Sequence, residues 1–99
     1  MKTIKHLTMN TIYKTNGTQE PASPWNGKHY ELKELQAIIG GYIQQVYLTD
    51  GSVMVMNKEG KLEGLPVNVR ATEIFRKNFP TNPDLIVGDV LVTESKFLK

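Results

Sequence analysis

Apolar and polar residues follow different rhythms along this chain, and the changes of rhythm mark its elements. Residues 3–13 interleave Ile4, Leu7, Met9, Ile12 and Tyr13 with polar neighbours, which predicts a strand. Asn16 to Lys28 is rich in Gly, Pro, Asn and Ser and predicts a loop, in which Trp25 either packs on the core or lies over a pocket. Over residues 30–39, Leu32, Leu35 and Ile39 recur at helical spacing with Ile38 beside them. Glu31 and Glu34 suit the start of that helix, where the backbone dipole favours negative charge. Gly40, free to turn left-handed, suits its end.

The next segment predicts a β-hairpin. Tyr42–Thr49 and Ser52–Asn57 flank Asp50-Gly51, a pair that favours a two-residue type I′ turn. In that register Leu48 faces Val53, Val46 faces Val55 and Gln44 faces Asn57. Ile43, Tyr47, Met54 and Met56 then share the opposite side. Both sides are apolar near the turn, so both need cover. One becomes polar at its open end, at Gln44 and Asn57. Lys58-Glu59-Gly60-Lys61 reads as a turn and Leu62–Pro66 as a short extended connection. Asn68 suits the cap of a second helix over about Val69–Lys77, with Ala71, Ile74, Phe75 and Phe79 as its apolar stripe. Pro80 and Pro83 end that helix. Leu85–Thr93 is a nearly continuous apolar run, as in a buried strand, and Gly88 marks a bulge or a close backbone approach.

The order β-α-β-β-α-β predicts a small α+β domain, a mostly antiparallel sheet with two helices packed on one face. A split βαβ, ferredoxin-like sandwich is one arrangement compatible with that order. Residues 1–99 read as one domain, with an N-terminal strand and loop over 1–29 and the main body over 30–99. A core this small is marginal alone, so self-association is expected.

Composition narrows the function classes. The chain has no cysteine, which excludes thiolate metal sites, disulfides and cysteine nucleophiles. No apolar run approaches the ~20 residues that span a bilayer. The start, MKTIKHLTMNTIYK, is polar or charged every few residues, unlike a signal peptide. The formal net charge of +2 is uneven. Residues 1–30 hold Lys2, Lys5, Lys14 and Lys28 against Glu20, whereas residues 31–99 are slightly acidic. The main body is therefore no basic platform for nucleic acid, and the N-terminal lysines offer only weak, salt-sensitive contacts.

Several segments carry a family resemblance. Leu35-Gln36, Gly40-Gly41-Tyr42-Ile43, Asn57-Lys58-Glu59-Gly60-Lys61, Gly64-Leu65-Pro66-Val67-Asn68 and Ile86-Val87-Gly88 stand in order along about two-thirds of the chain. In these it resembles a domain-of-unknown-function family found in phages, plasmids and their bacterial hosts. The resemblance supplies no activity. It implies a small accessory protein of the bacterial cytoplasm and, by analogy with other small phage α+β proteins, a counter-defence role such as sequestering a nucleotide-derived signal.

Catalytic motifs are absent. His6 and His29 have no metal-ligand spacing, and no Walker loop, G-x-G-x-x-G or nucleophile elbow occurs. Glu59 and Asp50 fall at opposite ends of the hairpin and form no acid pair. Neither enzyme activity nor a cofactor or metal is expected. The residues suited to a ligand are Gln44, Asn57, Glu59, Asn68 and Arg70, whose amides, carboxylate and guanidinium match a base edge or a phosphate. Trp25 and Tyr42 add rings that stack on a flat ligand. The expected partner is a small nucleotide-like molecule. The alternative is a host protein docked on the apolar sheet side of Ile43, Tyr47, Met54 and Met56.

Overall fold

The computed structural model describes residues 10–98. Its elements are β1 (Thr11–Tyr13), β2 (Gln19–Pro21), α1 (Leu32–Ile39), β3 (Ile43–Tyr47), β4 (Ser52–Asn57), α2 (Val69–Asn78) and β5 (Val90–Glu94), closed by a 3-10 turn at Ser95–Phe97. The five strands form one sheet in the order β2-β1-β5-β4-β3, and every neighbouring pair is antiparallel. The fold is α+β. Its strand order differs from the split βαβ arrangement. The strand expected over 3–13 survives as β1 and otherwise lies outside the described residues. The loop expected over 16–28 contains β2, which folds back on β1.

The two helices do not share a face. Met54, Val90 and Val92 point to one side of the sheet, where they pack with Ala71 and Phe75 of α2 and with Ile86. Val53, Val55 and Leu91 point to the other, where they pack with Leu35 and Ile39 of α1 and with Tyr30. The reason lies in the central strands. Val53, Met54 and Val55 are consecutive and fully buried, as are Val90 and Leu91. Side chains alternate across a strand, so an unbroken apolar run needs cover on both faces. Each such side chain contributes roughly 1.5–3 kcal/mol of burial, and one helix per face secures both sets.

The hairpin register is displaced by one residue from the type I′ expectation. Val46 pairs with Met54, Tyr47 with Val53 and Ile43 with Asn57. The loop is Thr49-Asp50-Gly51, closed by Leu48 N–H to the Ser52 carbonyl at 2.9 Å and by Gly51 N–H to the Leu48 carbonyl at 3.1 Å. A type I′ turn needs positive φ at both central residues, and Asp50 does not adopt it; only Gly51 does, at +92°. The Asp50 carboxylate instead accepts from the Ser52 N–H at 2.9 Å and the Ser52 hydroxyl at 2.6 Å. Those bonds favour the three-residue loop with a glycine bulge. Because strand period is two, the slip sends every side chain to the other pairing set. Met54 and Met56 belong to the α2 side and Ile43 to the α1 side, so the apolar docking surface expected from Ile43, Tyr47, Met54 and Met56 does not exist as one face.

The β1–β2 hairpin repeats the same turn. Lys14 N–H bonds the Thr18 carbonyl at 2.9 Å and Gly17 N–H bonds the Lys14 carbonyl at 3.0 Å. Asn16 Oδ1 accepts from the Thr18 N–H and hydroxyl at 2.9 and 2.7 Å. Thr15-Asn16-Gly17-Thr18 and Thr49-Asp50-Gly51-Ser52 are thus two copies of one loop.

The helix boundaries follow their caps. Tyr30 is buried just ahead of α1. Glu34, also buried, accepts from the Glu31 N–H at 3.4 Å and from the Trp25 N–H at 2.8 Å, tying the preceding loop to the helix start. Gly40 ends α1 in the left-handed conformation. The turn after β4 runs from Lys58 to Gly64, replacing the extended connection expected at Leu62–Pro66. The apolar run 85–93 is strand only from Val90. Before it, Val87 makes a single bridge to Val67, and Gly88 turns the chain at φ +79°.

Candidate ligand cleft at the open end of the hairpin

The segments around Asn57, Gly64 and Gly88 meet in one packed unit. Leu65 lies against two glycines: a Cβ on Gly88 would approach the Leu65 Cδ1 to 2.9 Å, and one on Gly60 would reach it at 3.4 Å and the Val87 side chain at 2.8 Å. Gly88 N–H bonds the Pro66 carbonyl at 2.9 Å, and Asn68 N–H bonds the Ile86 carbonyl at 2.8 Å. Asn57 closes the other side. Its Oδ1 accepts from the Glu59 N–H at 2.8 Å, and its amide group lies where a Cβ on Gly41 would sit.

Asn68 is the hub of this unit and is 0% exposed. Its Oδ1 accepts from the Ala71 N–H at 3.0 Å, capping α2, while its Nδ2 donates to the Tyr13 and Gly88 carbonyls, both at 2.8 Å. Both amide hydrogens are spent within the fold, so Asn68 presents no donor to a ligand. Arg70 is exposed, pairs with Glu73 at 3.2 Å and borders a depression beside Leu48, Thr49 and Asp50. Glu59 and Tyr42 border a further depression with Leu32 and Gln36. Trp25 is 74% exposed, so it is no core residue. The group expected from Gln44, Asn57, Asn68 and Arg70 is therefore divided: Asn68 is interior and Arg70 lies elsewhere.

Gln44 and Asn57 do share a cavity, a cleft of about 460 Å³ between the open end of the hairpin and the C-terminal half of α2. Its lining includes Val46 and Met56 from the sheet, Phe75 from α2 and Phe79 just past its end, and Leu62, Leu85 and Ile86 from the flanking segments. The Phe75 and Phe79 rings lie 5.0 Å apart at 47°. The polar part comprises Gln44, Asn57, Lys58, Lys61, Asn82 and Asp84. Lys61 is bonded to Asp84, and that contact holds the Asp84 carboxyl below its ordinary value. Lys58 has no ion pair among the described residues. An apolar, partly aromatic wall with a few polar groups is the usual make-up of a small-molecule site.

A profile of one domain family matches residues 9–96 of the chain. The chain belongs to the domain-of-unknown-function family DUF3846. No curated protein and no solved structure gives a significant match. In this DUF3846 domain no described helix is long and apolar enough to cross a membrane. Among its described residues no group of three or more His, Asp or Glu side chains is placed to hold a metal ion.

The cleft residues of the DUF3846 domain that sequence reasoning did not single out are mainly apolar. Phe75 and Phe79 read as a helix stripe, and stripes usually mean core. The available signal was positional: Phe79 falls past the last helical residue, beside Pro80. Leu62 stands alone in a polar turn, and Leu85 opens the apolar run ahead of β5 yet stays exposed. Lys58 and Lys61 read only as turn residues.

Proposed function

We propose that this DUF3846 domain is a non-enzymatic binding protein that takes a small, flat, nucleotide-like ligand into the cleft beside Gln44. The observation that carries the reading is the pairing of an apolar wall containing two phenylalanine rings with Gln44, Asn57 and Lys58 on the polar side. A heteroaromatic ring suits the first, and amide contacts with an anionic substituent suit the second. The residues lining the cleft include no histidine, serine, threonine or cysteine. Asp84, held low by Lys61, is a poor base near neutral pH. Those features support binding over catalysis. The motif resemblance adds the proposed setting: the bacterial cytoplasm, a phage or mobile element, and capture of a nucleotide-derived signal in counter-defence.

Thermal-shift measurement against a panel of mono-, di- and cyclic nucleotides tests this. A ligand at a hundred times its Kd adds about 2.7 kcal/mol, a shift of roughly 10–20 °C for a domain of this size. Gln44→Ala and Lys58→Ala are expected to reduce the shift, and Arg70→Ala to leave it unchanged. No shift with any nucleotide overturns the reading, as does a shift abolished only by Arg70→Ala.

A further inference from the structure

The two edges of the sheet are built differently. In β2 the residues bonded inward to β1 alternate with residues facing outward. Ala22 N–H bonds Asn10 and Lys14 N–H bonds Thr18, so Glu20 is the inward-bonded residue between them, and Gln19 and Pro21 face the edge. Pro21 has no N–H to offer there, and Glu20 sits at the middle of this short strand. Proline and charge are the usual means of blocking an edge.

β3 carries neither. Leu48 N–H bonds Ser52 and Lys58 N–H bonds Tyr42, so Tyr42, Gln44, Val46 and Leu48 are the inward-bonded positions. Ile43, Gln45 and Tyr47 turn their N–H and carbonyl groups to the edge. Residues 37–49 contain no charge, no proline and, within β3 itself, no glycine or bulge. Gln45 is exposed, and Tyr47 is 66% exposed despite its aromatic ring.

We infer that β3 is the pairing edge of a symmetric dimer, with a second copy of this chain as its occupant. Placed antiparallel about a two-fold axis at Gln45, the strand sets Gln45 against the partner's Gln45 and Ile43 against the partner's Tyr47. All the outward groups then pair, in about six inter-chain bonds, and the two sheets become one. Near such an axis each residue meets its own copy, so a charge there repels itself. The uncharged run removes that penalty at β3, whereas Glu20 and Pro21 impose it at β2. On the α2 side, Gln44 meets the partner's Val46. Both positions line the cleft, so the second copy adds to its wall. The dimer depends on the edge alone and stands apart from the nucleotide reading.

Light scattering on the full chain, from micromolar to sub-millimolar concentration, reads the state directly. A mass rising to twice the 11.2 kDa of the chain is expected, with Gln45→Lys returning it to the monomer at an unchanged circular dichroism spectrum. The absence of native cysteine makes a single introduced thiol a clean register probe. Gln45→Cys places two thiols on residues about 5.5 Å apart at Cα, within disulfide reach. Tyr47→Cys places them four residues out of register, roughly 13 Å apart. At least tenfold faster oxidative cross-linking of Gln45→Cys is expected. A monomer throughout the concentration range overturns the proposal. So does a dimer that survives Gln45→Lys, or one that cross-links as readily through Tyr47→Cys.

Discussion

Replacing Asn68 with alanine removes three hydrogen bonds that no neighbour can replace. The α2 cap is lost, at about 1 kcal/mol. The Tyr13 and Gly88 carbonyls lose their amide partner inside the protein, at about 1–3 kcal/mol each. The sum is about 3–7 kcal/mol, against a total of roughly 5–15 kcal/mol for a domain. At roughly 4–8 °C per kcal/mol, melting should fall by at least about 12 °C. Urea titration followed by circular dichroism gives the free energy, and Asn68→Asp separates its parts. Aspartate keeps the acceptor that caps Ala71 but has no amide to donate, and it sets a carboxylate oxygen against two carbonyls. Asn68→Asp should therefore retain at least half of the alanine loss. A cost below about 1 kcal/mol for Asn68→Ala, or a fully stable Asn68→Asp, would refute the view of Asn68 as a structural hub.

Burial, followed by the charge of Glu34, pushes the Tyr30 phenol from 10.0 up to about 12, and its hydroxyl has no partner among the described residues. The folded state holds that proton more tightly, so its contribution is constant below pH 10 and is lost as pH rises from 10 to 12. Tyr30→Phe should flatten that part of the stability–pH curve by up to about 2 kcal/mol and cost little at neutral pH. Hydrogen bonds from Ser52 hold the Asp50 carboxyl below its ordinary 3.8. That stabilisation is present above pH 3.8 and fades as pH falls below it; Asp50→Asn, matching Asn16 of the sister turn, should remove this acid sensitivity while leaving the hairpin intact by NMR. Gly51→Ala, with open space around it, should cost about 1–2 kcal/mol for its left-handed backbone. Gly88→Ala should cost more in the same denaturation assay, because its Cβ also strikes Leu65.

The elements were legible where periodicity and punctuation agreed. Gly40 stops α1, Asn68 caps α2, and the Asp50-Gly51 region turns the hairpin. The register was not legible from the dipeptide alone, since Asp50-Gly51 serves a type I′ turn and a three-residue bulged loop equally well. The flanking hydroxyl decides between them: Ser52 binds Asp50, as Thr18 binds Asn16. Recognising Thr15-Asn16-Gly17-Thr18 as a second copy of that loop would also have revealed β2. The placement of the helices was available in the unbroken runs Val53-Met54-Val55 and Val90-Leu91-Val92, which demand cover on both faces. The candidate site was partly legible. Gln44 and Asn57 share the cleft, but Asn68 is consumed by the carbonyls of two distant segments, a tertiary fact without a local sequence signal. Arg70 was misplaced because it stands on another side of α2 from Phe75, the side that borders Leu48, Thr49 and Asp50.

β5 has a consequence for how the chain comes to be folded. Among the described residues it is the only strand joining the β2-β1 pair to the β4-β3 pair, and it is the last of the five in sequence. Until Glu94 has left the ribosome, the emerging chain holds two separate hairpins, each with an exposed apolar side. Thr11 meets Val92 only once every element between them is available. Assembly of this sheet is therefore non-local and waits on its last strand, a slow class of topology. A chain broken off before Val90 would leave two unpaired sheet fragments rather than a smaller version of the same protein.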